Sequence, residues 1–204
     1  MPHQRLLNKL QAYGIDGNLL KWISNFLNNR KQRVRVNDSY SEYSTVTSGI
    51  PQGSILGPIL FIIYINDLPE CLESICKIFA DDTKLYGPSS QHDKLQRDLL
   101  RLLEWSKIWQ LGFNIEKCSI LHVGRNNEKH TYYMDSNNSK VLKVTDSEKD
   151  LGVTFTSDLK FDTHITNIVN KGNQLTGLIK RSFSYIDAKM FNKLYKAIVR
   201  PHLE

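Results

Sequence analysis

The chain has 204 residues, 40% of them apolar and 24% charged, an ordinary globular composition long enough for one domain or one and a half with a sizeable core. Three cysteines, Cys71, Cys76 and Cys118, show no CxxC spacing, which argues against a disulfide framework and a structural zinc site and fits a reducing compartment. The longest apolar run, Ile59 to Ile65, falls far short of the ~20 residues that span a bilayer, and no basic-then-apolar leader opens the chain; the expectation is an intracellular protein, nuclear or cytoplasmic, with no membrane partner.

The formal net charge of +6 is unevenly spread. From Lys160 to Glu204 eight Lys/Arg stand against three Asp/Glu, which places +5 in the last 45 residues. A second basic stretch holds Lys21, Arg30, Lys31, Arg33 and Arg35, with no acid from Gly17 to Asn37. Such patches suit a polyanion, because neutralising phosphates releases condensed counterions; a solvated surface is the plainer alternative.

Leu6, Leu7, Leu10 and Tyr13 mark one face of a first helix, which Gly14 stops. Asp16 caps a second, whose face is Leu19, Leu20, Ile23, Phe26 and Leu27. Val34 and Val36 alternate with Arg33 and Arg35, and a polar link leads to Tyr43 to Val46, a basic-faced hairpin with one face buried. Ser48-Gly-Ile-Pro-Gln-Gly53 is a loop, because glycine, proline and small polar residues fill it. The apolar segment Ile55 to Ile65 follows as a helix capped by Ser54, with Pro58 in its first turn; strand pairing of Leu60 to Ile65 is the competing expectation. A glycine-rich loop entering a helix lets backbone NH groups approach a phosphate or sugar and leaves Gln52 free to bond a base or ribose.

Cys76 to Tyr86 places Asp81 and Asp82 between two short strand-forming runs, in or beside a hairpin turn. Aspartate is an ordinary turn residue, but two adjacent carboxylates at a rigid tip are also hard oxygen ligands for magnesium. A long helix follows with Leu95, Leu99, Leu102 and Trp109 on its face, widened by Leu103 and Ile108. Lys117 opens a strand to Val123 and is a candidate proton donor or phosphate contact, beside the commoner reading of a surface lysine. Gly124 to Asn138 reads as a loop or weak hairpin, and Val141 to Val144 and Leu151 to Phe155 as short strands. After Phe161, Ile165, Ile168, Val169, Leu175 and Ile179 trace a helix that Gly172 weakens, and after Asp187 a last helix runs to Pro201.

The order of these segments, and six phrases within them, resemble the reverse transcriptases of non-LTR, LINE-like and Jockey-like retrotransposons. The phrases are Gly49-Ile-Pro-Gln-Gly-Ser-Ile-Leu-Gly-Pro58, Phe61 to Pro69, Phe79-Ala-Asp-Asp82, Asn114-Ile-Glu-Lys-Cys118, Asp150-Leu-Gly-Val153 and Leu194-Tyr-Lys-Ala-Ile-Val-Arg-Pro201. The resemblance implies an α+β fold: a polymerase palm of antiparallel sheet backed by helices over residues 1–156, then a basic helical thumb over 157–204, with the fingers mostly missing. It implies an RNA template, a DNA primer, deoxynucleoside triphosphates and two Mg²⁺ ions held by Asp81 and Asp82. Ser48, Gly49, Pro51, Gln52, Gly53, Phe79 and Ala80 would line the nucleotide and template pocket. Lys117 would protonate the leaving pyrophosphate, and Arg30, Arg33, Lys180 and Arg181 would track nucleic-acid backbones.

The departure is the family's third carboxylate, carried on a strand just upstream of the helix that begins here at His3. No acid precedes Asp16, so the expectation is an N-terminally shortened and inactive chain, with a non-catalytic nucleic-acid-binding remnant as the alternative reading and a product that never folds as a third.

Overall fold

The computed structural model describes residues 1–137 and 139–204, so Asn138, the end of the polar stretch expected as a loop, lies outside the described residues. The chain divides into two compact units: residues 1–117 with 130–142, and residues 118–129 with 143–204. The architecture is mixed α+β, with helices beside small two-stranded sheets.

The first unit opens on α1 (His3–Ala12) and α2 (Gly17–Leu27), separated by Gly14 at φ +82°. Asp16 occupies the N-cap of α2 but its side chain makes no capping bond. The buried face of α1 is His3, Leu6, Lys9 and Leu10; Tyr13, expected inside, is exposed. Leu19, expected on the buried face of α2, is exposed too, whereas Ile23 and Leu27 are buried. Two short antiparallel ribbons follow, β1 (Lys31–Gln32) with β4 (Ser44–Thr45), and β2 (Arg35–Val36) with β3 (Ser39–Tyr40). The expectation that this hairpin buries one face is overturned: Val34 and Val36 are each 65% exposed. Alternation defines a face, but burial needs a second layer, and the exposure of both valines shows that this face is left open.

The apolar segment is helix α3 (Leu56–Ile65), not a strand. Ser54 Oγ accepts the Gly57 amide at 3.0 Å, the cap expected of it, and a Cβ at Gly57 would lie 3.2 Å from the Pro51 carbonyl. Leu60, Tyr64 and Ile65 face the core, where Tyr64 meets Trp105 and Trp109 of α4 (His92–Trp109) edge to face, at ring separations of 6.5 and 5.7 Å. On α4, Leu102 and Trp105 are buried while Ile108, expected on this face, is 59% exposed. The β5 (Ile75–Phe79) and β6 (Asp82–Tyr86) hairpin stands between α3 and α4 in sequence. Residues 130–142 dock on α4 through Gln96, whose amide bonds both the NH and the C=O of Tyr133 at 2.9 Å.

The second unit pairs β7 (Ser119–Leu121) in parallel with β8 (Lys143–Thr145). Lys117 lies in a 3₁₀ turn over Ile115–Lys117 rather than in the expected strand. The strand expected from Leu151 begins at Val153: β9 (Ser147–Asp150) and β10 (Val153–Thr156) are joined by Leu151 at φ +47° and Gly152 at φ +91°, a two-residue turn. Helix α5 (Asp162–Ser182) runs unbroken through Gly172. That glycine makes room, since a Cβ there would stand 3.1 Å from Leu203. Ile179 and Val199 are buried, but Ile165 and Val169, expected as core, are 56% and 48% exposed. Asp187 caps α6 (Ala188–Leu194) by accepting the Met190 amide at 2.6 Å, and a π turn over Tyr195–Val199 continues it. No helix among the described residues is long and apolar enough to cross a membrane.

Candidate active site

The acidic hairpin is built by its register. Phe79 pairs with Asp82, which leaves Ala80 and Asp81 as the two turn residues. Such a turn requires a positive φ, and Ala80 supplies it at +49°, a strained value for a residue with a Cβ. Asp81 thus sits at the tip and Asp82 opens β6, both exposed and neither in an ion pair with any described residue. Phe79 is 60% exposed on the same ribbon.

The foot of this hairpin is fixed by a residue that sequence reasoning passed over. Asp98 of α4 is fully buried and accepts the amides of Glu73 and Ser74, just before β5, at 3.1 and 2.7 Å. Arg101 donates to Asp98 at 3.0 Å and to Glu73 at 2.6 Å, joining helix to strand entry. Burial alone would raise the Asp98 pKa; the two amides, the Ser74 hydroxyl and Arg101 outweigh it and hold the carboxyl below its ordinary range. The signal was present: Asp98 falls inside the stripe formed by Leu95, Leu99 and Leu102, where an acid belongs only if it is bonded.

The Ser48–Gly53 loop is held from its N-terminal side. Gly49 at φ +81° donates its amide to the Met1 carbonyl at 2.8 Å, and Pro2 bridges Ser48. The Gly49 carbonyl receives His3 Nε2 at 2.8 Å and an Arg30 NH at 3.0 Å, while Arg30 also donates to the Leu27 carbonyl. Arg30, expected on a nucleic-acid backbone, gives its Nε and Nη2 to the chain itself. Gln52 and Gly53 are exposed, and Pro51 is half-buried.

Asp67, the other acid near this region, belongs to the scaffold. Lys9, only 4% exposed, donates to Asp67 at 2.6 Å and to the Tyr64 carbonyl at 2.5 Å, and its ammonium lies 3.7 Å from the Trp109 ring centre. Trp105 Nε1 donates to the same Asp67 oxygen at 3.1 Å. Desolvation lowers the Lys9 pKa despite the opposing pull of Asp67, and burial pushes the Tyr64 phenol up to about 12.

Lys117 is exposed in its own turn, and Lys180 and Arg181 are exposed near the end of α5. Asp81 and Asp82 are hard donors of the type magnesium takes. Among the described residues, however, no group of three or more His, Cys, Asp or Glu side chains could hold a metal ion. The two acids fit part of a magnesium site and not the whole of one.

Residues 1–156 match the family model "Reverse transcriptase (RNA-dependent DNA polymerase)". The chain belongs to the reverse transcriptase family. It is 30% identical over 98% of its length to the RNA-directed DNA polymerase from mobile element jockey of Drosophila funebris, covering 23% of that protein. It is 26% identical over 88% of its length to the probable RNA-directed DNA polymerase from transposon X-element of Drosophila melanogaster, covering 21% of it. A further relative is the Pol polyprotein from type-2 retrotransposable element R2DM of the same fly, 27% identical over 77% of this chain and covering 16% of that protein. The chain thus spans less than a quarter of each of these three relatives. These relatives are polymerases of non-LTR retrotransposons, and reverse transcriptases as a family use divalent metal ions and bind template, primer and deoxynucleoside triphosphates.

Proposed function

We propose that this chain is the aspartate-bearing palm, residues 1–156, and the thumb, residues 157–204, of an RNA-directed DNA polymerase that extends a DNA primer on an RNA template. The observation that carries this reading is the hairpin tip, where Asp81 and Asp82 stand exposed, adjacent and without an ion-pair partner among the described residues, on a turn whose foot is locked by Asp98. Carboxylates left unneutralised on a rigid tip are suited to a cation that arrives with substrate phosphates.

In this reading Asp81, at the tip of the turn, is the principal magnesium ligand and Asp82, the first residue of β6, the secondary one. The ions, when bound, would lower the pKa of the primer 3′-hydroxyl and neutralise triphosphate charge. Among the described residues no third acidic, histidine or cysteine ligand joins the pair, so a complete site takes a further ligand. The remaining roles fall on side chains that bind and orient. Phe79 and Ala80 floor the pocket, and Ser48, Pro51, Gln52 and Gly53 line it toward the nucleotide and template base, with Gly49 shaping the loop through its bonds to Met1, His3 and Arg30. Lys117 gives a proton to pyrophosphate, and Arg33, Lys180 and Arg181 contact phosphates. Arg30 acts instead through the Gly49 carbonyl, which it helps to hold.

The lack of a third ligand also favours a second reading, a nucleic-acid-binding segment without chemistry. Primer extension decides between them. The chain joined to the polypeptide that flanks it in its own reading frame is expected to incorporate deoxynucleotides only with Mg²⁺, and Asp81→Ala to reduce incorporation by about 10³-fold, the several kcal/mol that metal charge stabilisation supplies. Incorporation that survives Asp81→Ala would reject the polymerase reading; hybrid binding unchanged by that substitution, with no incorporation, would establish the second.

A further inference from the structure

The basic ribbon carries a cluster that phosphate contact alone does not explain. Arg33 stacks its guanidinium 4.0 Å from the ring centre of Tyr40 and 4.9 Å from that of Tyr43, and Arg35 lies 5.4 Å from Tyr40, its cross-strand partner. All four side chains are exposed, Tyr40 by 50% and Tyr43 by 60%. Arg35 is tied to the turn through the Asn37 carbonyl at 2.8 Å and, loosely, Asp38 at 3.5 Å. Arg33 has no acid partner among the described residues, and a guanidinium over an aromatic ring keeps in-plane NH donors for a phosphate.

We propose that this ribbon is a stacking platform for single-stranded nucleic acid, in which Tyr40 and Tyr43 receive base faces while Arg33 and Arg35 take the phosphates between them. Two features select this occupant. The local charge is positive, with Lys31, Arg33 and Arg35 on a stretch free of acids from Gly17 to Asn37, so the ligand is a polyanion. Although Arg33 lies over both rings, Tyr40 and Tyr43 keep half or more of their surface open, so the ligand brings flat faces of its own. A duplex hides its base faces in its stack and would use only the arginines. The inference rests on the reading of the chain as a handler of template, and adds a site where unpaired bases are gripped.

Fluorescence anisotropy of the purified 204-residue chain tests it, with a labelled 12-nucleotide oligo-U strand and a 12-base-pair duplex as probes, each across a salt series. Thermal melts confirm that the variants, all at exposed positions, remain folded. The double variant Tyr40→Leu/Tyr43→Leu is expected to weaken single-strand binding by about 10- to 100-fold at unchanged salt slope while duplex affinity stays within about twofold. Arg33→Gln is expected to reduce the salt slope by about 0.7, one phosphate contact on a single strand. Equal losses on strand and duplex, no loss on either, or tyrosine-dependent binding to vesicles of one part phosphatidylserine to four of phosphatidylcholine that exceeds binding to the strand would each overturn the platform. Magnesium-dependent primer extension is read separately, so the platform can fail while the polymerase reading stands, and the reverse.

Discussion

Asp98 shows how one side chain decides whether the acidic hairpin has a fixed foot. Its carboxylate satisfies two strand-entry amides and an arginine at zero exposure, so Asp98→Asn should cost about 2–3 kcal/mol of unfolding stability, the range for charge-assisted bonds left half-made. The pH dependence follows from the lowered pKa. The folded chain binds fewer protons at this site than the unfolded one, so the contribution is complete above the ordinary aspartate value of 3.8 and is lost as pH falls through the lower folded value. Denaturant unfolding between pH 5 and about 2 should show this acid limb in the native chain and a shallower one in Asp98→Asn. Ala80 makes the converse case. Its φ of +49° costs about 1–2 kcal/mol relative to a residue free of that strain. Ala80→Gly should therefore raise stability by up to about 1 kcal/mol once the added freedom of the unfolded chain is subtracted, and Ala80→Val should lower it; a melt in which valine is neutral would show that the turn is not strained.

At the scale of elements, α1, α3 and α4 are joined by a charge placed where an apolar residue would be expected. Lys9 sits among Tyr64, Trp105 and Trp109, and Asp67 both neutralises it and binds Trp105. Removing one partner leaves the other desolvated, so Lys9→Ala should destabilise the unit by about 3–5 kcal/mol, whereas Lys9→Met with Asp67→Asn, which deletes both charges at similar volume, should lose much less. Chemical denaturation of the two variants checks this, and equal losses would mean that packing rather than charge pairing holds the three helices. The same contacts account for the misjudged faces. Tyr13 and Ile108 fit their helical stripes by period, yet both remain about half exposed, while Lys9 and Asp98 break the pattern and are buried because each meets bonded partners. The stop at Gly14 and the cap at Ser54 were legible from local chemistry, because those residues act within one turn of the chain, whereas Asp16, expected to cap α2, makes no such bond and Asp187 caps α6 without having been singled out for it.

Over the whole molecule, the sheets among the described residues each contain two strands, and large apolar side chains remain open beside them. Ile55, Ile59 and Ile62 of the α3 segment are 88%, 50% and 55% exposed, and Ile75 and Phe79 on the acidic hairpin are 63% and 60% exposed. Two-stranded ribbons of this kind are marginal in water unless another layer packs on them. The 204-residue chain should therefore bind a hydrophobic dye such as ANS at neutral pH, and Ile75→Thr with Phe79→Thr should reduce the signal; a chain that leaves the dye dark would show these surfaces to be covered in solution.

The sequence by itself determined the family, the hairpin with its two acids, the glycine loop, the basic distribution and most helix ends, because these depend on local backbone chemistry and on words that keep their order. Tertiary structure alone decided which faces were buried, that Arg30 and His3 serve the Gly49 carbonyl, that Asp67 belongs to Lys9, and that Asp98 anchors the acidic strand. Those outcomes rest on pairings between residues up to 58 positions apart, and a periodic pattern states that a side chain is able to be inside without stating what will be there to meet it.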